Sequence, residues 1–370
     1  MKIAVVHEWL VNHAGSEKVV EQILALYPEA DLFSLVDFLP DKLRDFIQHK
    51  PVTTTFIQNL PLAKRHFRQY LPLMPLAVEQ FDLAEYDLVI SSNHAVAKGV
   101  LTRPDQLHIS YVHTPIRYAW DLQHQYLRQS NLNRGLKGAI AQAILHYLRL
   151  WDVASANRVD CYAANSHYVA RRIWKTYRQP AEIIYPPVAI NRFNAQTPRQ
   201  GFYLTVSRFV PYKRVDLTVK AFNQLGLPLV VIGDGPGWKS IKALAGKNIE
   251  LLGAQPDAVV SDYMQRCKAF IFPTEEDFGI TPVEAQAAGA PVIAYGKGGA
   301  TETILAGETG LFFSNQSVES LVEAVQIFEL GKYQFNPSRI RQNAEKFSVS
   351  QFRRSFKTFV DKSWINFLKE

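Results

Sequence analysis

Ala269-Phe270-Ile271-Phe272-Pro273-Thr274-Glu275-Glu276-Asp277-Phe278-Gly279-Ile280-Thr281-Pro282-Val283-Glu284 decides the fold. Four apolar residues, too few for a helix and all large or small hydrophobes, read as a buried strand. An acidic loop follows, then a short helical segment closed by Gly289. In an α/β domain the residues just beyond a strand's carboxyl end are where ligands bind. Thr281 is expected as N-cap, Pro282 at the first helical position and Glu284 as the return arm of a capping box. The free N–H groups between Phe278 and Val283, Pro282 having none, and the helix dipole are expected to form an anion site. Glu276, flanked by Glu275 and Asp277, is by itself only one of three solvated loop acids.

The same alternation of short apolar runs with helical segments extends in both directions. Strands are expected at Ile3 to Val6, Leu32 to Val36, Leu88 to Ser91, His108 to Val112 and Cys161 to Ala164. A second series covers Phe202 to Val206, Leu229 to Ile232, Glu250 to Leu252, Ala269 to Phe272, Pro291 to Ala294 and Leu311 to Phe313. One open sheet rarely exceeds about ten strands, so two series predict two doubly wound sheets in an α/β protein. Pro186-Pro187 forbids helix between them, which places domains at 1–184 and 185–346. Residues 347–370 carry Phe352, Phe356, Phe359, Val360, Trp364 and Phe367 at helical spacing and read as a terminal helix with an aromatic face to bury.

The 370 residues, 47% hydrophobic with a formal charge of +7, suit two domains and an anionic partner. Cys161 and Cys267 belong to no C-x-x-C pair, so neither a zinc knuckle nor a disulfide framework is expected and a reducing, cytoplasmic compartment fits. No run approaches the ~20 apolar residues of a membrane span, and the N-terminal apolar run is too short for a signal peptide. No nucleic-acid motif accompanies the positive charge.

Further candidate chemistry lies at other strand ends. Ser207-Arg208 and Lys213 follow the strand ending at Val206; Arg208 can fork two phosphoryl oxygens and Lys213 can act as a point charge. Gly233-Asp234-Gly235-Pro236-Gly237 lacks G-x-G-x-x-G spacing and reads as a tight strand-to-helix turn. Gly15 opens a helix after the first strand, where backbone can approach a ligand or simply turn. His113 ends its strand at a sheet edge, where a structural hydrogen bond competes with catalysis. No Asp-x-Asp triplet offers a carboxylate pair for a diphosphate-bound metal, which favours protein cations as leaving-group stabilisers. Lys64, Arg65, His66 and Arg68, interleaved with Phe67, Tyr70, Leu71, Leu73 and Met74, make residues 60–75 either a packed domain edge or an interfacial stretch for an anionic membrane.

Taken in order, Ser207-Arg208 with Lys213, the Glu276 to Glu284 element in E-x7-E spacing, and Tyr185-Pro186-Pro187-Val188 with Arg192-Phe193 resemble glycosyltransferase family 4 of the GT-B fold, over essentially the whole chain. Tyr111-Val112-His113-Thr114-Pro115-Ile116-Arg117-Tyr118-Ala119-Trp120-Asp121 is similar to a mannosyltransferase-like branch of polysaccharide assembly. The resemblance implies two Rossmann-like domains facing a central cleft, the first for acceptor and the second for donor, with the last helix crossing back to the first domain. It implies a retaining hexosyltransferase that uses GDP-mannose, UDP-glucose or a related donor, requires no cofactor and no metal, and passes the sugar to a glycan or polyprenyl-diphosphate-linked acceptor at the inner face of the plasma membrane. By the same resemblance Glu276 contacts the donor sugar, Glu284 the ribose, and Arg208 and Lys213 the diphosphate. The backbone of Phe278, Gly279 and Ile280 lies near sugar and phosphate, Gly15 near the phosphate or acceptor, and His113 near the reacting sugar. Ala14 stands where the family commonly has a glycine. A nucleotide-sugar epimerase and a non-catalytic sugar-nucleotide or lipid-binding protein are the competing functions.

Overall fold

The computed structural model describes residues 1–369. Among these residues the strands form two all-parallel sheets, one in each of two compact units: Met1–Tyr185 together with the segment from Phe352, and Pro186–Gln351.

In the first unit β1 (Ile3–His7), β2 (Asp31–Ser34), β3 (Val52–Thr54), β4 (Leu88–Asn93), β5 (Leu107–Val112), β6 (Cys161–Ala164) and β7 (Glu182–Ile183) lie in the order β3-β2-β1-β4-β5-β6-β7. In the second, β8 (Tyr203–Val206), β9 (Leu229–Ile232), β10 (Ile249–Gly253), β11 (Ala269–Phe272), β12 (Val292–Tyr295) and β13 (Gly310–Phe313) lie in the order β10-β9-β8-β11-β12-β13. Both reverse direction beside their first strand, the doubly wound pattern whose switch point falls between β1 and β4 and between β8 and β11. The central strands are buried on both faces and therefore read as unbroken apolar runs. The edge strands β3 and β7 escape that signal: Val52-Thr53-Thr54 has one aliphatic residue and Glu182-Ile183 is two residues long. The expected Leu32 to Val36 strand runs instead over Asp31–Ser34.

The terminal helix, Val349–Phe367, inserts Phe352, Phe356 and Val360 among Val20, Ile23 and Tyr111 in the first unit's core. The Tyr111 ring meets Phe352 edge-on at 5.9 Å, and its hydroxyl donates to the Ile184 carbonyl at 2.8 Å. No helix among the described residues is long and apolar enough to cross a membrane.

Polar groups are also built into the first core. Glu8, fully buried, accepts from the amides of His94, Ala95, Val96 and Ala97 at 2.7 to 3.1 Å, satisfying a backbone corner with one carboxylate. His108 is equally buried, with its ring between Ser91 Oγ at 2.9 Å and the Arg158 carbonyl at 3.0 Å, and burial lowers its pKa to about 4. A histidine held neutral by the fold stabilises it above the unfolded value near 6.5, and that contribution is lost as pH falls toward 4. Urea unfolding is expected to show a loss of about 3 kcal/mol across that window from this residue, by the usual 1.4 kcal/mol per unit. In His108→Gln the stability profile between pH 6.5 and 4.5 flattens by up to one proton's slope; an unchanged slope contradicts the assignment.

Candidate active site

The second unit's switch point is occupied by the residues that follow β8 and β11. Lys213 Nζ is ion-paired to Glu276 Oε1, with both side chains largely buried. Thr274 Oγ1 donates to the Lys213 carbonyl at 3.0 Å and so ties the two loops together. Arg208 is exposed and its guanidinium makes no ion pair among the described residues. Its backbone is held by the glycine turn after β9: Phe209 N–H donates to the Asp234 carbonyl at 2.8 Å, and Gly237 N–H donates to the Phe209 carbonyl at 2.9 Å. A Cβ at Gly233, where φ is +141°, would stand 1.8 Å from the Ser207 carbonyl oxygen, so only glycine lets the two loops touch.

Glu276 is fixed by a loop that the sequence analysis did not single out. After β12, Gly296-Lys297-Gly298-Gly299 lies on the Glu276 backbone, with Gly299 N–H donating to the Glu276 carbonyl at 2.8 Å. A Cβ at Gly298, φ +68°, would come within 2.3 Å of that same oxygen. Three glycines in four residues directly after a strand were the available signal.

The helix after Glu276 differs from expectation at its start. It runs over Ile280–Ala287 with Gly279 as N-cap at φ +88°, and no side chain caps it. Thr281 and Pro282 therefore lie inside the first turn, and Glu284 closes no capping box. The left-handed turn at Gly279 begins the helix two residues earlier than a Thr281 cap would. Glu284 is instead buried, with Oε1 2.6 Å from Arg192 Nη2, while Arg192 Nη1 reaches Asp257 at 2.8 Å. Phe278 packs edge-on against Phe347 at 5.5 Å, which anchors the loop, and the first-turn amides beyond Gly279 have no intrahelical acceptor.

The first unit's switch point brings together His7, Ser92 and His113. In the β1–β4 register His7 stands opposite Ser92, and His113 N–H donates to the Asn93 carbonyl at 2.8 Å. Ser92 Oγ lies 3.1 Å from His7 Nδ1 and 2.9 Å from His113 Nε2. His7 Nε2 is 3.6 Å from Glu17 Oε1. Burial opposes ionisation of Glu17, but the His7 imidazole and the amide and hydroxyl donors around it prevail and bring its pKa to about 2. Burial likewise holds His113 neutral, its pKa well below the ordinary histidine value. Gly15 is the first residue of the helix Gly15–Leu26. That helix also carries Glu17, whose Oε2 accepts Ala14 N–H at 3.1 Å and the Ser16 hydroxyl at 3.0 Å.

The segment Thr114 to Asp121 is anchored by a buried ion pair. Lys98 Nζ lies 2.7 Å from Asp152 Oδ1, both fully buried, and Asp152 also accepts from Trp120 Nε1 at 2.8 Å and Tyr177 Oη at 3.0 Å. Beside it a pocket of about 700 Å³ is lined by Trp120, Asp121, Arg149, Arg171, Arg172 and Lys175, among others. Among the described residues no group of three or more His, Cys, Asp or Glu is placed to hold a metal ion.

Two parallel Rossmann-like units, with the last helix packed into the first, define the GT-B fold. The solved structure of Anabaena HepE in complex with UDP-glucose shares it: 18% identity, TM-score 0.67, covering 98% of this chain and all of that one. Residues 189–347 match the glycosyl transferases group 1 family. An uncharacterized glycosyltransferase of Methanocaldococcus jannaschii is 28% identical over 207 residues, 55% of this chain and 57% of that protein. The GDP-mannose-dependent alpha-(1-6)-phosphatidylinositol monomannoside mannosyltransferase of Mycobacterium tuberculosis is 31% identical over 138 residues, 32% of this chain and 36% of that one. The chain spans about half the length, or less, of the curated relatives it matches.

Proposed function

We propose that this protein is a retaining hexosyltransferase that moves mannose or glucose from a GDP- or UDP-sugar to a glycan or lipid-linked oligosaccharide in polysaccharide biosynthesis. The observation that carries the proposal is the Lys213–Glu276 ion pair at the switch point of the second sheet, with the exposed, uncommitted guanidinium of Arg208 on the same loop after β8 as Lys213. Such a group can take a diphosphate on its cations while the carboxylate orients sugar hydroxyls. Charge developing on the leaving nucleoside diphosphate passes to Arg208, Lys213 and the amides of the helix beginning at Ile280, with no metal ion required. Phe278, Gly279 and Ile280 line the sugar and phosphate through their backbone, and Glu284, oriented by Arg192, receives the ribose. His113 meets the reacting sugar, with Gly15 on the phosphate or acceptor side of the first unit. Attack occurs from the face the leaving group departs, a phosphate oxygen serving as base.

The relatives divide on the donor: the mycobacterial one is named for GDP-mannose, and the Anabaena structure holds UDP-glucose. Nucleotide release from GDP- and UDP-linked mannose, glucose, galactose and N-acetylglucosamine tests the proposal. Release from one or two donors, stimulated by acceptor, is expected. No release from any donor and no nucleotide binding by calorimetry would overturn it.

An anionic, membrane-borne acceptor fits the first unit. The pocket beside Trp120 presents four cations against the single carboxylate of Asp121, and Arg171 and Lys175 stand one turn apart on the exposed face of a helix with no acid. Like charges at that spacing repel and gain from an anion between them. Residues 56–78 and 122–151 contain no Asp or Glu, and Leu71 of the first stretch packs with Leu145 and Leu148 of the second. Leu62, Leu76, Leu136, Ile140 and Leu150 are exposed, as are Lys64 and Arg65. We assign this face to an anionic membrane surface on the cytoplasmic side. Flotation with phosphatidylglycerol-containing vesicles is expected to recover the protein. Lys64→Glu/Arg65→Glu weakens binding at least about tenfold, since each cation near such a surface contributes about 1 kcal/mol; binding equal to wild type removes the assignment.

A further inference from the structure

The buried polar row behind His113 has a direction, and that direction sets what His113 can offer a ligand. Its members come from separate elements: Glu17 from the helix Gly15–Leu26, His7 from β1, Ser92 from β4 and His113 from the residue after β5. His7, Glu17 and Ser92 are essentially without solvent exposure. The successive separations are 3.6, 3.1 and 2.9 Å. A neutral imidazole has one N–H and one lone pair, and a hydroxyl has one proton to give and two lone pairs, so the place of the proton on His7 sets the sense of the row.

In one sense His7 turns a lone pair on Nε2 toward the Glu17 carboxylate, two acceptors in contact with water excluded. In the other, His7 Nε2–H points at Glu17 and its Nδ1 accepts the Ser92 hydroxyl proton; Ser92 Oγ then accepts from His113 Nε2–H. The second sense avoids the repulsion at every step. His7 Nε2 has no hydrogen-bond partner among the described residues; the Glu17 carboxylate at 3.6 Å is the charge that faces it, and its attraction favours a proton there. His113 Nδ1 makes no hydrogen bond among the described residues, and the residue is partly exposed.

We infer that Glu17, through His7 and Ser92, holds His113 as the Nε2–H tautomer and so presents its Nδ1 lone pair as an acceptor for a substrate hydroxyl. Glu17, His7 and Ser92 are thereby positioning residues, and the sequence neighbourhood of Gly15 matters for the acid it carries into the core. The role of His113 as an acceptor toward a sugar hydroxyl rests on the proposed transfer reaction; the tautomer does not.

The test is the long-range ¹H–¹⁵N correlation spectrum of the full chain labelled at histidine, recorded at pH 8 where unperturbed imidazoles are neutral. His113 is expected as the Nε2–H form. Glu17→Gln replaces the carboxylate with a group that can itself donate to His7, and Ser92→Ala cuts the row. Each should shift the His113 tautomer ratio about tenfold or more, as expected for loss of a charge-assisted contact. A matching fall in kcat for donor turnover is expected with little change in donor KM, and melting curves report whether each variant is folded. His113 found as Nδ1–H in the wild type overturns the inference, and so does an Nε2–H form unchanged in both folded variants. A wild type that turns over no donor would sink the transfer reaction and leave the tautomer result standing.

Discussion

Arg208→Ala lowers the rate of nucleotide release from the sugar donor by about 10²-fold or more while leaving the melting temperature within about a degree or two of wild type. The kinetic part follows from what the side chain does in the proposed reaction: removing one preorganised contact to developing charge typically costs that much. The stability part follows from its surroundings. Arg208 is exposed, its guanidinium pairs with no acid among the described residues, and its backbone is held by Phe209 and the Gly233 to Gly237 turn irrespective of the side chain. Arg208→Lys restores charge but not the planar fork and is expected to recover only part of the rate. Glu276→Ala should match Arg208→Ala in rate loss, yet it also strips Lys213 of its partner, so binding of free nucleoside diphosphate is retained or tightened as the ammonium is released to the phosphates. Rates within threefold of wild type for both variants, on the donor the wild type uses, would remove this pair of loops from the reaction.

Asp152→Ala destabilises the first unit by about 3–5 kcal/mol, the usual consequence of stranding one member of a buried ion pair. Lys98 would be left at zero exposure with its ammonium facing Ser155 Oγ at 2.8 Å, the carbonyl of residue 152 at 2.9 Å and the Trp151 and Tyr177 rings, but no carboxylate. Burial already lowers the Lys98 pKa, with Asp152 opposing the shift, so removing the carboxylate drives the lysine toward its neutral form. Trp120 and Tyr177 lose their acceptor in the same step. The double variant Lys98→Met/Asp152→Leu removes both charges and should cost clearly less than Asp152→Ala alone, because the desolvation of two ions is then no longer incurred. Urea denaturation of the single and double variants gives the coupling directly. Additive losses would show that the two groups do not interact.

Much of this was legible without coordinates. The eleven expected strands all coincide with or overlap observed ones because each is a short apolar run, and both-face burial leaves that mark in local sequence. The aromatic spacing of Phe352, Phe356 and Val360 is also local, and those three side chains lie in the first core. The helix start at Gly279 was misassigned because Thr281-Pro282 with Glu284 satisfies the rules for a cap equally well. What decides between the starts is the left-handed backbone at Gly279, packed against the Phe272 ring.

The sequence by itself determined that two parallel sheets form, which residues stand just beyond their strand ends, and that Arg208, Lys213, Glu276 and His113 are among them. Only the tertiary structure decided what those residues meet: Lys213 with Glu276 across 63 positions, Glu284 with Arg192 across 92, and His113 with Ser92 and, through it, His7. The physical reason is the range of the forces that write each pattern. Periodicity and turn chemistry act over a few neighbouring residues and leave a mark in each segment, whereas strand order and register set the partners of a charge, and those depend on pairings among strands far apart in the chain.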